Sequence, residues 1–211
     1  MPPELSAVDP EGSVSTAARL REVATELFAE RGYAGASLAE IASRLGIRKP
    51  SLYNYTRSKD ALFLDLLADA LDAWRDASRH ALDEDGSCRE RLERHLRASV
   101  GFAVESPYAT GLCRVAVSHV GDDLAERVDA LLDGQRRDYH SRLRAFFDEA
   151  RARGEVVDQS TETLVTAWSI FLDGVLTQQV FAPPTRRAVV VEQLDALWAL
   201  FWRGIAAEET A

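Results

Sequence analysis

The chain has 211 residues, enough for one or two domains with a substantial core. It is 46% hydrophobic and 28% charged, as an ordinary globular protein is, and its net charge of -9 argues against non-specific coating of nucleic acid. No apolar run approaches the ~18 residues of a membrane span, the start lacks the basic and apolar regions of a signal peptide, and Cys88 and Cys113 are too few for a disulfide framework or a zinc cluster. The two are read as reduced thiols of a cytoplasmic protein.

Residues 1–14 carry Pro, Glu, Asp, Gly and Ser without periodicity and read as a mobile tail. From Ser15 the pattern is helical, with Leu20, Ala24, Leu27 and Phe28 on one face and Gly32 as a left-handed end. Ser37 and Glu40 have capping-box spacing, and Leu38, Ile41, Ala42 and Leu45 give the second helix its stripe. Gly46 ends it. Pro50 suits the first turn of a short third helix. Ser58 caps a fourth, with Asp60 favourable near its N-terminus, and Leu62, Leu66, Leu67, Ala70, Leu71 and Trp74 carry the rhythm to about residue 82.

Further helices are expected over about 89–105, 108–120, 121–153, 161–181 and 185–207, with Gly154 and Pro183-Pro184 as breaks. No strand alternation competes, since helical flanks outvote Val189 to Val191, and no repeat of 20 to 50 residues is present. The expected fold is all-α, about nine helices, with a small three-helix unit at 15–64 and a larger bundle at 65–211.

Between Glu40 and Asp60 this acidic chain has no carboxylate, yet it carries Arg44, Arg48, Lys49, Arg57 and Lys59. The window also has helix–turn–helix spacing: small Ala42 where a second helix packs closely, Gly46 at the turn, and Leu52 as the apolar anchor. In that geometry the N-terminal residues of the second helix reach base edges in the major groove. Arg48 and Lys49 can donate to guanine O6 and N7, and Ser51 and Asn54 have side chains that serve several bases. Tyr53 and Tyr55 carry hydroxyls suited to phosphate, and Ser37 and Lys59 lie at helix N-termini where backbone N–H groups favour an anion.

Residues 16–64 resemble the DNA-binding domain of the TetR family of transcriptional regulators. The resemblance is carried by Ala24, Leu27, Phe28, Gly32 and Tyr33; by Ser37, Ile41, Ala42, Leu45, Gly46 and Ile47; by Leu52, Tyr53 and Tyr55; and by Ser58, Lys59 and Leu62. Two positions depart from the family's pattern. Thr56 stands where an aromatic ring usually packs, which leaves Phe63 or Tyr55 to fill the space. Arg48 occupies the usual serine or threonine cap.

The resemblance implies a dimeric repressor on a near-palindromic site of double-stranded DNA, released by a small-molecule effector. Past residue 66 it is architectural. It places the dimer interface on the last two helices, whose apolar stripes include Phe171, Val175, Leu194, Trp198, Phe201 and Trp202, with Gly174 allowing close approach. It places an effector pocket in the bundle, for which Trp74, Phe102, Tyr108, Cys113, Val117, Tyr139 and Trp168 are the candidates, and Tyr139 or His140 the polar handles. These residue types suit a largely apolar ligand.

Other functions find less support. His80, His95, His119 and His140 form no metalloprotease motif, and no Cys-x-x-Cys or phosphate-binding glycine loop is present, so neither catalysis, a metal nor a cofactor is expected. His119 with Asp122 and Asp123 reads as a helix-end group before it reads as a metal site. A redox-responsive regulator would need an activated thiol, and only Arg114 adjoins Cys113. A ligand-independent regulator is the remaining alternative.

Overall fold

The computed structural model describes residues 15–118 and 122–207. The expected tail at 1–14 lies outside them, as does His119. Among the described residues ten helices follow one another: α1 Thr16–Gly35, α2 Leu38–Arg44, α3 Lys49–Leu52, α4 Lys59–Asp83, α5 Cys88–Glu105, α6 Pro107–Ser118, α7 Asp122–Ala152, α8 Thr161–Phe181, α9 Pro184–Glu192 and α10 Leu194–Ile205. Among the described residues there is no strand, only an isolated bridge between Val156 and Ala206 that ties the chain after α10 to the α7–α8 connection.

Serine begins half of these helices for one reason: its hydroxyl replaces a partner that the first backbone N–H groups lack. Ser15, Ser37, Ser58 and Ser160 each accept from the N–H three residues on. The capping box expected at Ser37 and Glu40 is half formed, because the Glu40 carboxylate turns to Arg31 at 2.8 Å instead. A complete box occurs at Ser87 and Glu90, just before the helix expected from about residue 89.

The last expected helix, 185–207, is two. The backbone leaves helical geometry at Gln193 (φ -93°, ψ 2°), with neither glycine nor proline there to signal it. The break lets Leu194, Trp198 and Ile205 turn into the bundle while Leu200 faces out.

Two apolar cores result. The first joins α1 to α4 with Leu112, Val115 and Ala116 of α6 and Leu124 and Val128 of α7. The second joins α5, the C-terminal half of α7, α8 and α10 around the fully buried Trp168. Helix α4 runs unbroken through residue 65 and contributes to both, so the small N-terminal unit shares its core with the bundle.

Candidate nucleic-acid interface and bundle cavity

The helix–turn–helix is locked from inside. Ile41, Ala42, Leu45 and Leu52 are buried with Phe28 and Phe63, which meet edge to face at 5.2 Å. Gly46 adopts φ +71°, and the Ile47 N–H reaches back to the Ala42 carbonyl at 3.0 Å, closing a left-handed helix end that a β-carbon would strain. Leu52 is the only buried residue from Arg48 to Tyr55, and it pins the single turn of α3 to the core.

That one anchor leaves Arg48, Lys49, Ser51, Tyr53, Asn54 and Tyr55 exposed together. Arg48 caps α3 with backbone only, so its side chain is not engaged there. Arg48, Lys49 and Arg57 form no ion pair with any described residue, whereas Arg44 is paired with Glu40 at 3.7 Å and Glu30 at 4.0 Å. Of the window's five cations only Arg44 is thus ion-paired among the described residues. Arg57 was missing from the expected contact set, although the same acid-free window contains it.

Lys59 has a structural attachment as well. Its ammonium donates to the Ala36 carbonyl at 3.0 Å and lies 4.1 Å over the Tyr33 ring, while the Tyr33 hydroxyl donates to Asp60. Partial burial pulls the Lys59 pKa below its ordinary value, with Asp60 pushing the other way. This cluster fixes the start of α4 against the α1–α2 connection. Ser37 is exposed, and its oxygen already accepts from the Glu40 N–H.

Thr56, where a ring was expected, is buried at 6% exposure. Its hydroxyl donates to the Ser58 carbonyl at 2.9 Å, so it braces the α3–α4 turn by a hydrogen bond. Of the two residues expected to fill the space, Phe63 is in the core against Phe28 and Tyr33, and Tyr55 is 46% exposed.

In the bundle, a cavity of about 450 Å³ opens between α4, α5 and α7. That size lies within the usual range of roughly 300–1,000 Å³ for ligand pockets. Trp74, His95, Tyr139 and Phe146 supply its aromatic wall. Of the seven candidates, Trp74 and Tyr139 line it, and Trp168 stands behind, its indole N–H donating to the Tyr139 hydroxyl at 2.9 Å. The other four do not line it. Val117 is 59% exposed, Tyr108 faces shallow grooves beside α1, Cys113 packs against the first core, and Phe102 is partly buried elsewhere on α5. Three of the four lie on α6, which packs chiefly against α1 and away from the cavity. His140 approaches Ser169 at 3.4 Å and is not a cavity residue.

His95 was not a candidate, although a lone histidine on the apolar face of α5 is the signal that marks it. It is buried, stacked on Tyr139 at 5.6 Å, and desolvation lowers its pKa to about 4, so the ring is neutral at neutral pH. Burial raises Cys88 to about 12 and Cys113 to about 11, which keeps both thiols protonated and unreactive.

The expected dimer residues divide. Val175, Leu194 and Trp198 are buried inside the protomer, with the Trp198 indole N–H donating to Glu93 at 2.9 Å, so they have no surface left for a partner. Phe171 and Phe201 stack on each other at 4.4 Å and, like Trp202, are half-buried. The exposed large apolar residues of these helices are others: Ile170 at 69% and Phe181 on α8, Val189 and Val191 on α9, and Leu200 at 64% on α10. Ile170, Gly174 and Phe181 recur on one helical face, and Gly174 and Gly204 both look into open space.

A family model described as bacterial regulatory proteins of the tetR family matches residues 20–66. The HTH-type transcriptional regulator YezE of Bacillus subtilis is 32% identical over 145 residues, 65% of this chain and 73% of YezE. The HTH-type transcriptional activator FasR of Mycolicibacterium smegmatis is 38% identical over 79 residues, 37% of this chain; the chain spans 36% of FasR. Among solved structures, FadR of Bacillus subtilis in complex with stearoyl-CoA superposes with a TM-score of 0.70 over 88% of this chain and 97% of that one, at 16% identity, a likeness of fold. No helix among the described residues is long and apolar enough to cross a membrane. The reading head, its motif residues and these relatives together place the chain in the TetR family of bacterial transcriptional regulators.

Proposed function

We propose that the protein is a cytoplasmic, homodimeric repressor that holds a near-palindromic operator through residues 37–59 and releases it when a small molecule enters the α4–α5–α7 cavity. In this reading residues 15–64 are the reading head and 65–211 the effector and dimerisation body. The observation that carries it is the exposed face around Leu52. There Arg48, Lys49 and Arg57 lack ion-pair partners among the described residues, next to Ser51, Tyr53, Asn54 and Tyr55, in a chain of net charge -9. Cations left unpaired in an acidic protein favour a polyanion.

Arg48, Lys49, Ser51 and Asn54 meet base edges, and Ser37, Tyr53, Tyr55, Arg57 and Lys59 meet phosphates. A dimer built on Ile170, Phe181 and Leu200 sets two such heads for major grooves ~34–36 Å apart. A ligand preferring one head spacing shifts the population toward it. The cavity favours ligand control over ligand-independent binding, and the protonated cysteines speak against redox control. FadR's stearoyl-CoA shows that a relative of the same fold takes a ligand. Footprinting on the DNA upstream of the protein's own coding region tests the reading: a protected, near-palindromic segment of about two helical turns is expected, and uniform protection at all salt concentrations contradicts it.

A further inference from the structure

Lysine is ordinarily among the commonest residues of a globular protein. This chain has two, Lys49 and Lys59, and arginine supplies all its other cationic side chains. Both lysines fall inside the acid-free window of the reading head, which holds only five of the 25 cations. The placement matters because the two cations differ in chemistry. A guanidinium stays protonated at any physiological pH and is no nucleophile. An ammonium on a flexible stem releases a fraction of free amine, and that amine attacks activated acyl groups. Lysine chemistry is therefore confined to the surface assigned to DNA.

The fold presents the two nitrogens differently. Lys49 opens α3, is exposed, and forms no ion pair with any described residue. Lys59 is half-buried, with its Nζ 3.0 Å from the Ala36 carbonyl and 4.1 Å over the Tyr33 ring. Partial burial lowers its pKa, which raises the share of free amine. An acyl group removes the positive charge from either nitrogen. At Lys49 that cancels a cation assigned to base edges. At Lys59 it ends the cation–ring contact with Tyr33 and loosens the start of α4 from the α1–α2 connection.

We propose that Lys49 and Lys59 are acylation sites, through which an activated acyl group, carried as an acyl phosphate or an acyl thioester, switches off DNA binding. The inference rests on the assignment of residues 37–59 to DNA and adds a covalent control to it. The free Nζ amine attacks the acyl carbonyl carbon. An amide C–N bond forms as the C–O bond to phosphate, or the C–S bond to the thiol, breaks. The leaving group takes up the proton that the nitrogen sheds, and nothing is oxidised or reduced.

Treatment of the full chain with acetyl phosphate or with acetyl-CoA tests it. Peptide mass mapping is expected to find acetyl groups on Lys49 and Lys59, and affinity for the footprinted operator is expected to fall at least about tenfold from that of the untreated protein. The donor that acts identifies the source of the acyl group. Operator duplex added before the donor is expected to shield both lysines. The double variant Lys49→Arg, Lys59→Arg keeps both charges and removes both amines, so treatment should leave its affinity at the value of its own untreated sample. Lysines left unmodified by both donors overturn the inference, as do acetylated lysines with undiminished affinity and an affinity loss that the double variant still shows. Where the double variant binds no DNA, the shielding decides: lysines acetylated equally with and without the duplex contradict the inference. An untreated parent protein that binds no DNA defeats the reading-head assignment itself.

Discussion

Gly111 of α6 lies so close to Ala29 of α1 that a β-carbon on the glycine would fall 2.6 Å from the Ala29 Cβ. Beside it the Arg114 guanidinium donates to the Ala29 carbonyl at 3.0 Å. The two helices meet backbone to backbone, and the contact joins the reading head to the bundle. Gly111→Ala forces α6 away from α1. The clash is expected to destabilise the fold by about 1–3 kcal/mol, partly offset by alanine's better helix propensity of about 1 kcal/mol. Operator affinity should fall with it. Adding Ala29→Gly removes the opposing atom and should restore affinity in a filter-binding assay, and a double variant no better than the single one would exclude direct contact as the cause.

The face assigned to a second copy makes a contrasting pair of predictions. Ile170→Glu or Leu200→Glu places a charge where the protomer is open, so the chain should stay folded and become monomeric in sedimentation. Trp198→Glu instead buries a carboxylate in the second core and removes the donor to Glu93, so it should lose stability by more than ~4 kcal/mol. A folded, dimeric Leu200→Glu protein would remove α10 from the interface.

These residues also show what the sequence could not convey. The apolar character of α8 and α10 is legible in their stripes, but both helices are apolar over wide arcs. Which arc faces inward depends on the break at Gln193, which has no glycine or proline to announce it. The reading head was more legible because its signals are local: a serine at the start of α1, α2 and α4, Gly46 at the turn, Leu52 between exposed neighbours. Its aromatic core was partly so, since Phe63 could be named as a substitute for the ring missing at Thr56, although the Thr56–Ser58 hydrogen bond could not. The cavity was least legible. Trp74 and Tyr139 are 65 positions apart in the chain and meet only through the packing of α4 against α7.

His95 gives a pH dependence with a definite sign. Its folded pKa, about 4, lies below the ordinary 6.5, so between these values the unfolded chain binds a proton that the folded chain does not. Stability from this residue is therefore complete above about pH 6.5 and declines as pH falls toward 4, by up to ~3 kcal/mol. Urea unfolding at pH 7 and pH 5 should show the decline, and His95→Phe should flatten it. An unchanged slope in that variant would place the titration elsewhere.

Thr56 braces its turn by one hydrogen bond to the Ser58 carbonyl. Thr56→Val keeps the volume and removes the donor, with an expected loss of ~0.5–1.5 kcal/mol in chemical denaturation. A neutral result would mean that water supplies the carbonyl's partner.

The salt dependence of operator binding tests the central claim most directly. Fluorescence anisotropy on a labelled operator duplex, from 50 to 300 mM salt, yields the slope of log affinity against log salt for the parent protein and for Arg57→Ala. Each phosphate contact contributes about 0.9 to that slope, so losing one contact in each subunit of a dimer should lower it by about 2. A variant with the parent's slope and affinity would contradict the assignment of this face to DNA.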